Sequence, residues 1–217
     1  MSNRPILGIG FDLDNTLVDR DSALCRLLEA WLKHCPSSER AALIQRLIEL
    51  DVSGYGDRKA MLERLTETLN QSAEELLVRF VDDFPSYFQV ERSNQQLLAQ
   101  LKNRGIRIAL LTNGGPMQRP KLAAAGLTHY FEDACILISK ETGFAKPTFE
   151  AFSKLSDVIG LSAENILFVG DHIGNDIAGA HAAGLQTAWV SQGAELTGAI
   201  EPDLIIRNSL FEIIDYL

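Results

Sequence analysis

The sequence predicts an α/β protein: a doubly wound, Rossmann-like parallel sheet core with an inserted α-helical domain. Three observations predict it. Short apolar runs alternate with helical patterns after residue 100, the order that builds parallel sheets covered by helices on both faces. A first apolar run stands far upstream, cut off from the others by a segment of purely helical spacing. Three of the apolar runs stop at polar residues, Asp12-Leu13-Asp14, Thr112-Asn113 and Asp171. Open parallel sheets bind ligands outside the carboxyl ends of their strands.

Ile6 to Phe11 reads as the first buried strand. From Asp19 to Phe88 the apolar residues recur at helical spacing: Leu24, Leu27, Leu28, Trp31 and Leu32, then Leu43, Leu47 and Leu50, then Leu62, Leu65 and Leu69, then Leu76, Leu77 and Phe80. Pro36-Ser37-Ser38, Ser53 to Gly56 and Asn70 to Ser72 break this run, and Pro85 is expected to close it. The domain reading is a discontinuous core, 1–18 with 89–217, and a helical insertion, 19–88. Beyond it the expected order is a helix over Asn94–Asn103, a strand over Arg107–Leu111, a helix over Pro116–Ala125 and a strand over Ala134–Ile138. A helix over Thr148–Ile159, a strand over Asn165–Val169, a helix over Asp176–Ala183 and strands at Gln186–Val190 and Leu204–Ile206 complete it. Gly105, Gly126, Gly160 and Gly184 supply the helix stops.

Composition narrows the function classes. The chain has 217 residues, 46% apolar and 23% charged, ordinary for a globular protein with a sizeable core. A net charge of −9 opposes broad nucleic-acid binding. No apolar stretch is long enough to span a membrane, and the N-terminus lacks the pattern of an export signal. The three cysteines, Cys25, Cys35 and Cys135, show no metal spacing and fit a reducing cytoplasm. A monomer or weak homodimer suffices.

Asp12 and Asp14 lie two apart at a strand end and so project to the same side. Such a pair can bind a metal, share acid/base work, or cap a turn. Thr112, with the backbone N–H groups of Asn113 and Gly114, can hold phosphate oxygens or simply open the turn before Pro116. Lys146 precedes Pro147, which favours an extended backbone at the lysine and suits the first turn of the next helix. Asp171 and Asp176 straddle a glycine-containing turn, with Asn175 or Asp176 beginning the helix and His172 bordering the same edge.

Together these segments resemble the haloacid dehalogenase superfamily, phosphatase branch, with a helical C1 cap. The order is Asp-x-Asp-x-Thr, Thr-Asn, Lys-Pro, then Gly-Asp-x-x-x-Asn-Asp. The resemblance implies Mg²⁺ held by Asp12, the Asp14 carbonyl and Asp171, and an aspartyl-phosphate formed on Asp12. It implies Asp14 as acid and base, Lys146 as charge partner, Thr112 and Asn113 as phosphate ligands, and Asp176 with Asn175 as outer support. The substrate is expected to be a small phosphorylated metabolite: a sugar phosphate, a nucleotide or flavin mononucleotide. In the family the cap contacts the leaving group. The loop Ser53–Lys59 is the candidate, its two glycines giving mobility and Tyr55, Arg58 and Lys59 giving stacking and charge; an ordinary helix linker is the other reading. A phosphomutase would share the core. A haloacid dehalogenase lacks a carboxylate at the place of Asp14, a receiver domain would be shorter and uninterrupted, and a non-catalytic phosphometabolite-binding protein would not need the full set.

Overall fold

The computed structural model describes residues 4–196 and 200–217. The chain divides into two compact units, Met1–Val18 with Val90–Leu217, and Asp19–Gln89. The first unit opens with β1 (Gly8–Phe11), buried throughout.

The second unit is helical. Asp19 caps α1 (Arg20–Trp31) by accepting from the Ser22 N–H at 2.9 Å. Then follow α2 (Ser37–Asp51), α3 (Arg58–Glu63), α4 (Thr66–Leu69) and α5 (Ala73–Asp83). Ser72 and Glu75 start α5 with a reciprocal capping box. Leu24, Leu27, Leu28, Leu47, Leu62, Leu76 and Phe80 form its buried side, with Trp31 set edge-on to Phe80. Pro85 lies inside a 3₁₀ turn, Phe84–Tyr87, the last helical element of this unit.

The first unit resumes with α6 (Arg92–Asn103), β2 (Arg107–Thr112), α7 (Gln118–Ala124), β3 (Ile136–Ile138), α8 (Ser139–Thr142) and α9 (Phe149–Ile159). It closes with β4 (Ile166–Gly170), α10 (Gly179–Ala182), β5 (Gln186–Val190), β6 (Leu204–Ile206) and α11 (Glu212–Tyr216). The six strands pair in the order β3-β2-β1-β4-β5-β6, all parallel. The chain therefore builds outward from β1 in one direction, then returns to build in the other. The switch lies between β1 and β4, where Phe11 pairs with Val169, and such a point is where open parallel sheets bind ligands. Helix α9 seals one face of this sheet through Phe152, Leu155 and Ile159. Phe152 meets Phe168 edge-on at 5.1 Å, each such side chain stabilising by about 1.5–3 kcal/mol on burial.

Four expectations need correcting. The third strand is shorter than expected, because Asp133–Cys135 turns as a 3₁₀ segment. Helix α7 starts at Gln118 rather than Pro116. Pro147 is not in the first turn of α9; it forms a cis peptide with Lys146, and Thr148 occupies the cap position before Phe149. Neither Asn175 nor Asp176 begins the helix after β4: His172 caps a π-helical turn, Ile173–Ala178, which runs into α10. No helix of the described residues is long and apolar enough to cross a membrane.

Candidate active site

The switch point positions the first carboxylate. The Asp12 N–H donates to the Val169 carbonyl at 2.9 Å, so the β1–β4 ladder continues past the strand end and fixes the Asp12 backbone. The Asp12 side chain is buried, and its Oδ1 lies 2.5 Å from Lys146 Nζ. The same ammonium lies 2.7 Å from Asp176 Oδ1. Lys146 is held by its main chain as well: Asn113 Oδ1 accepts from its N–H, and Asn113 Nδ2 donates to its carbonyl, both at 2.8 Å. The side chain of Asn113 thus clamps the lysine loop, a role beside the backbone N–H contact expected of it. The Gly114 N–H, expected to serve phosphate, donates instead to Ser139 Oγ at 3.0 Å.

The chain after β4 brings two more carboxylates. Asp171 follows Gly170, and the π-helical turn returns Asp176 beneath it. Asp176 Oδ2 accepts from the His172 N–H at 3.0 Å, while its own N–H donates to the His172 carbonyl at 2.8 Å. His172 Nδ1 in turn accepts from the Asn175 N–H at 3.0 Å, so Asn175 contributes to this turn through its backbone. Gly170 is required here: a Cβ on it would stand 2.4 Å from the Asp176 carboxyl carbon.

Oxygen atoms of Asp12, Asp171 and Asp176 all lie within 4.8 Å of one another. Burial, opposed by Lys146 but reinforced by Asp176, pushes the Asp12 carboxyl up to about 7. Burial, then the charges of Asp12 and Asp176, push Asp171 up to about 8. Burial alone would depress the Lys146 ammonium, but Asp12 and Asp176 hold it above the usual lysine value. Three carboxylates thus crowd one ammonium. An all-oxygen donor set with surplus negative charge suits a hard divalent cation such as Mg²⁺. Among the described residues Asp176 joins this group, whereas the resemblance had placed it outside; its Lys146 and His172 contacts still make it a support for the lysine.

Asp14 is half-buried and faces α7. Lys121 Nζ donates to both of its oxygens, at 2.9 and 2.8 Å, and Gln118 Nε2 donates to Oδ2 at 3.0 Å. Gln118 Nε2 also reaches Thr112 Oγ1 at 2.7 Å, and Thr112 is buried at the end of β2. Neither Gln118 nor Lys121 was anticipated from the sequence. Their spacing was the available signal: i and i+3 on a helix that follows the Thr-Asn turn share one face.

In the helical unit, the 53–59 loop is pinned rather than mobile. Asp51 accepts from the Gly54 N–H at 2.9 Å through its side chain, and from the Gly56 N–H at 2.8 Å through its carbonyl. Arg58 is not offered outward as expected: its Nη2 lies 3.1 Å from Asp51 Oδ1 and its guanidinium stacks 4.2 Å over the Phe80 ring. Tyr55 and Lys59 are exposed, Lys59 being 3.9 Å from Glu63.

Residues 6–184 match the family model for haloacid dehalogenase-like hydrolases. The chain belongs to that family. It is 40% identical to a phosphoserine phosphatase of Thermus thermophilus over 51% of this chain and 42% of that protein, so this match spans less than half of the relative's length. It is 30% identical to a phosphoglycolate phosphatase of Yersinia pestis over 94% of this chain and 90% of the other. Among solved structures, the HAD hydrolase YfnB of Bacillus subtilis, bound to magnesium, superposes with a TM-score of 0.74 at 25% identity, covering 98% of this chain and 99% of that one. The six-stranded parallel sheet with its flanking helices is the α/β fold of the family.

Proposed function

We propose that the protein is a Mg²⁺-dependent phosphatase that hydrolyses small-molecule phosphate monoesters through an aspartyl-phosphate on Asp12. The observation that carries this reading is a buried Asp12–Lys146 pair with a second carboxylate, Asp14, two residues on and independently held. A dehalogenase expels halide and needs no proton donor for its leaving group, whereas an alcohol does. The curated relatives quoted above carry phosphatase names, which supports the same choice.

In this mechanism an Asp12 oxygen forms a bond to phosphorus as the ester P–O bond breaks. Asp14 gives its proton to the departing alcohol oxygen, which keeps the bond's electron pair. Asp14 then takes a proton from the water that attacks phosphorus, and phosphate leaves Asp12. Lys146 keeps Asp12 oriented and opposes the negative charge gathered at the phosphoryl oxygens. Thr112 Oγ1 supplies a hydroxyl to those oxygens, and Asp176 with Asn113 holds Lys146 in place. Asp12, Asp171 and the Asp14 carbonyl would hold Mg²⁺, which when bound supplies the positive charge that lets a carboxylate approach an anionic phosphate. The substrates in view are small phosphorylated metabolites, and three free cysteines suit a reducing cytoplasm.

The test is release of inorganic phosphate from a panel of phosphorylated metabolites with Mg²⁺. Asp12→Asn should lower turnover by more than about 10⁴-fold with the fold retained. EDTA should abolish turnover and added Mg²⁺ restore it. Near-normal turnover by a verified Asp12→Asn protein, or activity surviving complete metal removal, would sink the reading.

A further inference from the structure

Asp14 does not sample its rotamers freely. Both oxygens are gripped from α7, by Lys121 at 2.9 and 2.8 Å and by Gln118 at 3.0 Å. Lys121 and Gln118 are each only 3% exposed, and lysine is seldom buried without a charge partner. We propose that Lys121 and Gln118 are positioning residues for proton transfer by Asp14, and that Gln118 couples this carboxyl to the phosphate-binding hydroxyl of Thr112. The inference rests on the phosphatase reading and deepens it.

The amide geometry supports the coupling. The NH₂ end of Gln118 faces Asp14, and its Nε2 meets both Asp14 Oδ2 and Thr112 Oγ1. Since Gln118 donates to Thr112 Oγ1, the Thr112 hydroxyl keeps its own hydrogen for another acceptor. The nearest backbone acceptor, the Asn113 carbonyl, is 3.4 Å away, long for an O–H donor. One side chain thus orients the hydroxyl toward an incoming anion and the carboxyl toward the leaving oxygen. Gly114 leaves room for it: with φ at 152°, a Cβ there would stand 2.8 Å from Gln118 Cγ and Cδ.

A fold-stabilising role alone explains this poorly. A buried ion pair is a weak stabiliser, and an apolar residue would anchor α7 at least as well. A proton donor, by contrast, must lie within hydrogen-bond reach of its target, and about 1 Å of misplacement can lower a rate by about 10²-fold. In the first step Asp14 loses its proton to the alcohol oxygen and becomes a carboxylate. Lys121 is already placed to stabilise the charge that appears.

The experiment compares kcat/KM in Mg²⁺ for two kinds of ester. One is the best alkyl phosphate among glycerol 3-phosphate, phosphoglycolate and phosphoserine. The other is p-nitrophenyl phosphate, whose leaving group needs no proton. kcat/KM covers steps only through the first irreversible one, so the later base role of Asp14 does not enter. Lys121→Met should lower kcat/KM about 10²-fold on the alkyl ester and less than about 3-fold on the aryl ester. Lys121→Arg should recover part of the loss. Gln118→Leu should lower kcat/KM on both esters through its Thr112 contact and by about a further 10-fold on the alkyl ester through its Asp14 contact, which keeps the inference testable should Lys121→Met fold poorly. In an Asp14→Asn background Lys121→Met should not lower the alkyl rate further, and Gln118→Leu should retain only the loss common to both esters. Equal losses on both esters in both variants, no loss, or full additivity of Lys121→Met with Asp14→Asn overturn the inference while the phosphatase reading stands. A wild-type protein inactive on every ester overturns that reading, and this inference with it.

Discussion

Each of the two units buries a cluster of opposite charges, and the clusters differ in balance. In the helical unit Asp51 is grasped by Arg20 through two contacts, 3.0 and 2.6 Å, and by Arg58 at 3.1 Å, with the Gly54 N–H as a further donor. Arg20 also pairs with Asp21, which accepts from Ser53 Oγ. Two guanidiniums meet two carboxylates there, Asp51 buried and Asp21 part-exposed at the edge. In the α/β unit three carboxylates, Asp12, Asp171 and Asp176, meet the ammonium of Lys146. Asp12 and Asp171 are accordingly driven up to about 7 and about 8. Burial of charge is common to both clusters. Surplus charge of one sign is what distinguishes the second, and the proposed Mg²⁺ site rests on it.

The sharpest way to break this comparison is to delete one cation from each cluster. Lys146→Met should lower turnover by at least about 10³-fold, because it removes the charge facing Asp12 and the phosphoryl group. Arg20→Met should leave the chemistry intact but destabilise the helical unit by about 3 kcal/mol, since it leaves a buried carboxylate with Arg58 as its one remaining guanidinium contact named above. Phosphate-release kinetics and thermal unfolding separate the outcomes. Comparable kinetic losses from both substitutions would erase the distinction drawn between the clusters.

The residues of the surplus cluster were legible because each sits in a short local string, at a strand end for Asp12 and Asp171 and in a loop or turn for Lys146 and Asp176. Asp12, Thr112 and Asp171 follow buried apolar runs, and their convergence needs only the parallel sheet. Lys121 carried no such mark. A lysine on a helix is ordinarily a solvated charge, and its burial here depends on Asp14, 107 residues away in sequence. Arg58 misled for the same reason. Its loop looks mobile from two glycines, yet Asp51 pins it through contacts that composition does not display. The Lys146–Pro147 turn was legible as a loop but not in its conformation, which the Asn113 clamp accompanies from another strand end.

The next effect is thermodynamic. In metal-free protein, Asp12 and Asp171 bind protons up to about 7 and about 8, whereas an unfolded carboxyl titrates near about 4. Between those values the folded state holds more protons than the unfolded one. The stability these groups contribute is therefore fully present at low pH and falls as pH rises from about 4 through about 8. Bound Mg²⁺ favours the ionised forms and reverses this loss. Melting curves in EDTA and in saturating Mg²⁺ should diverge steadily as pH increases across this window. Asp171→Asn should shrink the divergence; a gap independent of pH would contradict the surplus-charge account.

The smallest effects belong to the exposed residues of the pinned loop, and they test what the balanced cluster is for. Lys59 and Glu63 lie 3.9 Å apart with both side chains largely in water, so Lys59→Ala should change stability by no more than about 0.5 kcal/mol and leave substrate preference unaltered. Tyr55 differs. Its ring is exposed on a loop whose backbone Asp51 fixes and in which Val52 and Ser53 both take left-handed φ values, 46° and 50°. A conformation so uncommon for a β-branched residue persists only where the surroundings impose it. A rigidly presented aromatic contacts a ligand without the entropic penalty of ordering a flexible loop. If the helical unit contacts the leaving group, as the resemblance implies, Tyr55→Ala should shift relative kcat/KM among the phosphorylated substrates by about 3- to 10-fold while melting stays within about 0.5 kcal/mol of wild type. Arg20→Met, by loosening Asp51, should shift preference in the same direction under conditions where the protein remains folded. Unchanged preference in both variants would reduce the Arg20–Asp51–Arg58 cluster to a staple for the helical unit, and leave the α/β unit to discriminate substrates alone.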